Sequence, residues 1–270
     1  METLSPHKIR ALNNAESSEN RIHSDEIALK YGFTGALVSG VNVFGYLTQA
    51  LVKVYGEDWL SKGIMDVIFI KPAYQDDLLT IRSDEAQTAE ELHQRHHLTS
   101  AFDKDNRLLA KLESWLPQEM PAVSELASLE SGELLKPRQE ISWDLIQPMQ
   151  PAPYYIWQPS QADNQERVDA QRDPAALYQG DNGYIHPYFL LEACNKALMR
   201  QFILPAWIHT GSRLILHRPI TLGSAIEVRA VPTEKWERKG HQFIKLYIAM
   251  VIEDVVALEV EHTAIFKIAS

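Results

Sequence analysis

The chain has 270 residues, of which 45% are hydrophobic and 23% charged, and its formal net charge is −10; this composition is ordinary for a soluble globular protein. The acid excess argues against nucleic acid as a partner, because phosphate backbones are held by clustered Lys and Arg. No apolar run is long enough to span a bilayer, the N-terminal stretch lacks a signal-peptide core, and the single cysteine, Cys194, excludes an intrachain disulfide and fits a reducing cytoplasm.

In chain order, His7–Leu12 reads as a short strand. The loop SSENRIHSDE, Ser17 to Glu26, follows, with Asn20 three residues before His23 and a helix-like pattern after it. Ser24 or Asp25 is placed to cap that helix. Ser39–Gly56 is a long amphipathic helix, with Val41, Phe44, Tyr46, Leu47, Leu51 and Val54 on a broad apolar face. Ile64–Glu85 and Leu92–Leu116 each read as two alternating strands joined by a polar turn. In the second pair, the Arg95–His97 run is expected on a solvent face. Six prolines between Pro117 and Pro153 mark a linker.

The same order then recurs. A strand at Tyr154–Gln158 leads into a long irregular segment. Next come a helix over His186–Ile203 and strand pairs within Ser212–Val231 and His241–Phe266. Between residues 28 and 110 the two halves align at one constant offset of 147 residues, without a gap. Ala28 and Tyr31 fall on Ala175 and Tyr178, Pro72 on Pro219, Arg82 on Arg229, and Ala110 on Ala257. We read a duplicated α+β unit: an N-terminal copy over 1–117, a linker over 118–150 and a C-terminal copy over 151–270. The duplicated chain is expected as a monomer of tandem repeats or a homodimer.

The motif residues are Asn20, His23, Asp25–Glu26, Ala28, Gly35, Ser39–Gly40, Phe69, Pro72 and Asp77. Their order and spacing resemble the MaoC-like (R)-specific enoyl-CoA hydratases of the hotdog fold. The resemblance covers roughly Ser17 to Arg82. It implies a tandem double hotdog, with antiparallel sheets each wrapping a long central helix. It also implies an acyl-thioester substrate on coenzyme A or an acyl carrier protein, with no separate cofactor and no metal. The family pattern would make His23 an acid/base, let Asn20 position a water, and use the Gly40 amide, with Ser39 beside it, to polarise the thioester carbonyl. Where the family keeps an aspartate, five residues before the histidine, this chain has Ser18, which can hold a water but cannot take its proton near neutral pH.

The second copy places Gln165, Arg167 and Ala170 opposite Ser18, Asn20 and His23, so it cannot run the same chemistry. Its helix carries Glu192–Ala193. That pair resembles the helix of hydroxyacyl carrier-protein dehydratases and some hotdog thioesterases, where an acid faces the acyl group. Three functions are therefore open: a hydratase or dehydratase of 2-enoyl/3-hydroxyacyl thioesters, a thioesterase using Glu192, or a binder of acyl thioesters without turnover. His186, His209 and Ser212 are further candidates for substrate contact. Structural roles stand beside these readings: capping for Ser39 and for the His186–Pro187 helix start, an ion pair of Glu192 with Lys196, and a core position for Cys194.

Overall fold

The computed structural model describes residues 4–85, 95–134 and 136–269; the predicted strand start at Leu92–Gln94 lies outside them. The N-terminal half contributes β1 (Leu4–Arg10), β2 (Ile64–Phe69), β3 (Leu78–Glu85), β4 (Arg95–Phe102) and β5 (Leu108–Leu116). Two dipeptide strands, β6 (Gln139–Glu140) and β8 (Phe202–Ile203), form a separate parallel pair. The C-terminal half contributes β7 (Tyr155–Trp157), β9 (Ile208–Leu216), β10 (Ile226–Arg238), β11 (His241–Ile252) and β12 (Val255–Lys267). The helices are α1 (Asp25–Lys30), α2 (Gly40–Tyr55), α3 (Glu57–Lys62), α4 (Gln161–Gln171) and α5 (Tyr188–Gln201).

The described residues form one ten-stranded sheet in the order β1-β3-β4-β5-β2-β9-β12-β11-β10-β7. Read outward from its centre, each half runs through the same sequence of elements, and every pairing is antiparallel. The offset of 147 lays β2 on β9, β3 on β10, β4 on β11, β5 on β12 and α2 on α5. The halves join where β2 pairs with β9, and there Asp66 lies opposite Arg213, its own repeat equivalent. Two identical copies would place like residues face to face at this position, and like charges directly opposite on neighbouring strands are destabilising. The duplicated chain instead sets Arg213 2.9 Å from the Asp66 carboxylate. Gly211 matters at the same seam: a Cβ there would lie 2.7 Å from the Val67 carbonyl oxygen.

Helices α2 and α5 carry the core. Val41, Phe44, Tyr46, Leu47 and Leu51 of α2 and Leu190, Leu191, Cys194 and Leu198 of α5 are buried in one cluster with residues of the sheet. Burial at roughly 25 cal/mol per Å2 of apolar surface makes this shared core the main stabilising feature. Cys194 is fully buried, and its thiol is pushed up by desolvation and donates to the Leu190 carbonyl. No helix among the described residues is long and apolar enough to cross a membrane.

Three local expectations change. His96 and His97 are buried rather than solvent-facing: His96 pairs with Glu113 at 2.8 Å, and His97 packs edge-on against Tyr55. The segment read as irregular in the second copy contains α4, started by Ser160, whose hydroxyl accepts from the Asp163 amide. The linker is packed rather than loose. Its Ala127 sits among Tyr247, Ala249 and Val251, and Ile146 joins the main core.

Candidate functional site

A cavity of about 430 Å3 opens where the motif loop and the start of α2 meet β9 and the end of β12. From the first copy, Asn20, His23, Val38, Ser39, Gly40, Val43 and Phe69 line it. Across from them stand Asn195, Trp207, Ile208, His209, His241 and Ile265 of the second. The site is therefore composite, with its motif on one copy and its far wall on the other.

His23 ends a single turn of 3-10 helix over Arg21–His23, which Asn20 caps by accepting from the Ile22 amide. The imidazole is buried, and its Nδ1 lies 2.7 Å from the Leu37 carbonyl. A carbonyl only accepts, so Nδ1 carries the proton and Nε2 is left with its lone pair. Burial lowers the His23 pKa, and the bond to Leu37 opposes this only in part. The ring is thus neutral at pH 7 with Nε2 as a base. Asn20 holds it in place: its Nδ2 lies 3.4 Å from His23 Nε2 and donates to the Trp207 carbonyl, while its Oδ1 accepts from the Trp207 amide. Both ends of the Asn20 amide are therefore tied to the second copy's backbone, which makes it a strut for the loop rather than a free holder of water.

The start of α2 forms another wall of the cavity. Ser39 precedes the helix in extended conformation, and the Asn42 and Val43 amides both return to its carbonyl. The Gly40 amide has no partner among the described residues. A helix N-terminus of this length presents free N–H groups and a positive dipole end. Ser39 makes no side-chain cap bond, so its hydroxyl is not spent on α2. Phe69 leans over the same turn: a Cβ at Gly40 would come within 3.3 Å of its ring, and the opposite edge of the site is closed by His209, 4.8 Å from Phe69 centroid to centroid.

The other predicted residues stand elsewhere. Ser18 does not line the cavity; its hydroxyl donates to the Asn20 carbonyl at 3.2 Å. Glu19 is paired with Arg138 of the linker at 2.9 Å, and Arg138 also donates to the Met199 carbonyl at the end of α5. Glu192 lies outside the cavity and pairs with Lys196 at 2.9 Å, one helical turn on. Ser212 is one layer behind the wall, bonded to His209 Nε2 at 2.8 Å and to His262 Nδ1 at 3.0 Å. Burial lowers the pKa of both rings, His262 to about 3, so this His–Ser–His chain is neutral.

His186 belongs to the second copy's own helix start, which is filled. By the repeat it replaces Ser39, and Pro187 replaces Gly40, so the amide that would face a carbonyl is gone. The His186 ring is fully buried, accepts from the Tyr188 amide and lies 3.4 Å from Asp173. Gln171 reaches across to Asn42 at 2.9 Å and presses on Gly45, where a Cβ would lie 2.5 Å from its Oε1.

Sequence reasoning missed Asn195, Trp207 and His241. The packing of α5 brings Asn195 to the cavity, and the strand order brings Trp207 and His241. Asn195, three residues beyond Glu192 on α5, reaches the cavity where Glu192 does not.

No protein-family model and no curated protein sequence matches the chain. Solved structures do. A MaoC domain protein from Chloroflexus aurantiacus J-10-fl, described as a dehydratase, superposes with a TM-score of 0.69 at 11% identity, over 97% of this chain and 93% of that one. A conserved double-hotdog protein of Mycobacterium tuberculosis gives 0.67 at 11% identity, over 97% and 96%. A protein of Lactobacillus plantarum described as an oleoyl thioesterase gives 0.56 at 12% identity, over 98% and 96%. The fold is an α+β double hotdog, shared with MaoC-like dehydratases and with thioesterases; the chemistry has to be argued from the site.

Proposed function

We propose that the protein acts on acyl thioesters as a hydratase or dehydratase of 2-enoyl/3-hydroxyacyl groups carried by coenzyme A or a carrier protein. The observation that carries this reading is the shared cavity: the unprotonated Nε2 of His23, with Asn20 Nδ2 3.4 Å away, and the free amide of Gly40 border one largely apolar pocket. The Gly40 amide would take the negative charge that develops on the thioester oxygen when a proton leaves C2 or a nucleophile reaches C3. His23 would move the proton between the oxygen and C2: in hydration it takes it from the attacking water and gives it to C2, and in dehydration it takes it from C2 and delivers it to the leaving C3 hydroxyl. The apolar lining, with Val38, Val43, Ile22 and Ile265, would seat the acyl chain.

The test is turnover of a 2-enoyl-CoA followed by mass spectrometry. Gain of one water with the thioester intact supports the proposal, and His23→Gln should lower the rate by about 100-fold or more while leaving the circular dichroism spectrum unchanged. Release of free thiol instead would indicate a thioesterase, and binding without product would indicate a non-catalytic acyl-thioester binder. The engagement of Glu192 by Lys196 outside the cavity speaks against the thioesterase mechanism that uses it.

A further inference from the structure

Three side chains on the second copy's wall of the cavity each keep a polar atom unpaired. The Trp207 backbone serves Asn20 in both directions, yet its indole Nε1–H has no hydrogen-bond partner among the described residues. Neither has the Asn195 Oδ1, nor the His209 Nδ1, although the Gly211 carbonyl is near enough to favour a proton on the His209 ring. All three atoms are buried, and Trp207 and His209 as whole residues are only 2% and 7% exposed. Buried donors and acceptors in folded proteins are almost always paired, since an unpaired one has given up its bonds to water with nothing in return. The other polar groups of the lining are engaged or lie elsewhere. Asn20 holds Trp207, Thr210 donates to the Thr263 carbonyl, His241 accepts from the Ala269 amide, and Tyr31 and Lys71 are exposed. His23 and Ser39 line the cavity from the first copy, with the Gly40 amide. Those groups would meet the reacting carbons and their oxygens, and the unpaired set stands across from them.

The chemistry of the unpaired set is selective. An indole N–H only donates, and an amide oxygen only accepts. His209 can do either, because its Nε2 meets the Ser212 hydroxyl at 2.8 Å, and that hydroxyl can donate to one of its two histidines and accept from the other. A hydroxyl group needs a donor and an acceptor together. A carboxylate would need a cation, and the cavity is lined by no Lys or Arg other than the exposed Lys71. A plain alkyl chain would leave all three atoms unpaired. We propose that the acyl chain taken by this site carries a second, neutral hydroxyl beyond the reacting carbons, received by Trp207 Nε1, Asn195 Oδ1 and His209 Nδ1. The inference rests on the acyl-thioester reading given above and narrows it from plain fatty acyl groups to hydroxylated ones. Trp207 donates to the hydroxyl oxygen, the hydroxyl donates to Asn195, and His209 makes the remaining bond. A site built for a hydroxyl discriminates against the chain that lacks it, because the site's own polar atoms then stay unpaired.

The experiment is calorimetric binding of octanoyl-CoA to the full-length protein, against a series of octanoyl-CoAs bearing one hydroxyl at C5, C6, C7 or C8. At least one hydroxylated chain should bind about 10-fold or more tightly than octanoyl-CoA. Trp207→Phe and Asn195→Leu should each lower that ratio, whereas a merely structural change would weaken both ligands alike and leave the ratio as it was. Equal affinity across the series would overturn the hydroxyl site and leave the acyl-thioester reading standing. A preference that survives both substitutions would place the hydroxyl elsewhere and also overturn it. So would a preference confined to 3-hydroxyoctanoyl-CoA, measured with His23→Gln to suppress turnover, since the three groups would then serve the reacting oxygen. No binding of any of these thioesters would overturn the acyl-thioester reading and this inference with it.

Discussion

The role given to the Gly40 amide can be isolated by a pair of substitutions at one atom. Gly40→Pro removes the N–H, and the chain already contains this change at the repeat-equivalent Pro187. The local geometry accepts it. Gly40 is the first residue of α2, where proline is favoured. Ser39, the residue before it, has φ −59 and ψ 135, the extended conformation that a following proline requires. The Gly40 amide has no partner among the described residues, so its removal breaks no bond within the protein. The added ring carbons would meet Phe69, because a Cβ at this position lies 3.3 Å from that ring. Gly40→Ala adds the same Cβ and keeps the amide, so it is the reference. Removing one oxyanion donor costs about 3–4 kcal/mol of transition-state stabilisation, or about 100- to 1000-fold in kcat. The assay is kcat for a 2-enoyl-CoA with Gly40→Pro against Gly40→Ala, with thermal unfolding as the check on folding. Equal kcat values within about twofold would refute the placement of the thioester oxygen at this helix start.

Four more outcomes follow from the same geometry. Because burial lowers the His23 pKa, its base form should persist below pH 6.5, so kcat/KM should hold its plateau through that pH and fall only in more acid solution. The buried rings of His209 and His262 are neutral when folded and take up protons below about 6.5 when unfolded. Stability in urea titrations should therefore drop from pH 7 to pH 5 by about 2 kcal/mol for each ring, and His262→Leu should remove about half of that combined slope. Gly211→Ala places a Cβ 2.7 Å from the Val67 carbonyl at the seam of the halves and should cost about 1–3 kcal/mol by urea denaturation. Ser18→Asp should not raise the rate with a 2-enoyl-CoA, because the Ser18 side chain faces the Asn20 carbonyl at 3.2 Å and a carboxylate there would repel it.

The duplication was legible because both copies keep the same spacing between alternating strands and one long helix, and that spacing is a local property of the chain. The α2 boundaries were legible for the same reason: its apolar positions recur at helical spacing, and Gly56 closes it. Helix α4 was not, since its buried residues are Asn164, Val168 and Gln171, two of them polar, and polar burial leaves no periodic apolar trace. His96 and His97 were misplaced because two adjacent buried residues break the alternation that a half-exposed strand shows. In the site, His23 and Gly40 could be found from a motif, but their far wall could not. Trp207 and His209 come to the cavity because β9 pairs with β2, a contact nearly 150 residues away along the chain.

Asymmetry is what the duplication made available. In a dimer of identical copies, any change at one helix start is made at both. Here Gly40 kept its amide, while Pro187 lost the equivalent one and His186, Asp173 and Gln171 filled the space. The second copy then became scaffold for the first. Asn20 bonds to the Trp207 backbone in both directions, Arg138 ties Glu19 to the end of α5, and Arg213 answers Asp66 where the halves meet. Asp66 and Arg213 are repeat equivalents that now differ, while Asn20 and Glu19 bond to partners in the second copy and the linker. The position of His23 therefore depends on the C-terminal copy as much as on its own loop. On this argument Trp207→Pro, which removes the amide that Asn20 accepts from, should impair turnover through a displaced His23 even though no motif residue is altered. Its signature would be a lowered kcat together with loss of the protected His23 Nδ1 proton in the imidazole NMR spectrum, and an unchanged imidazole signal would count against the strut.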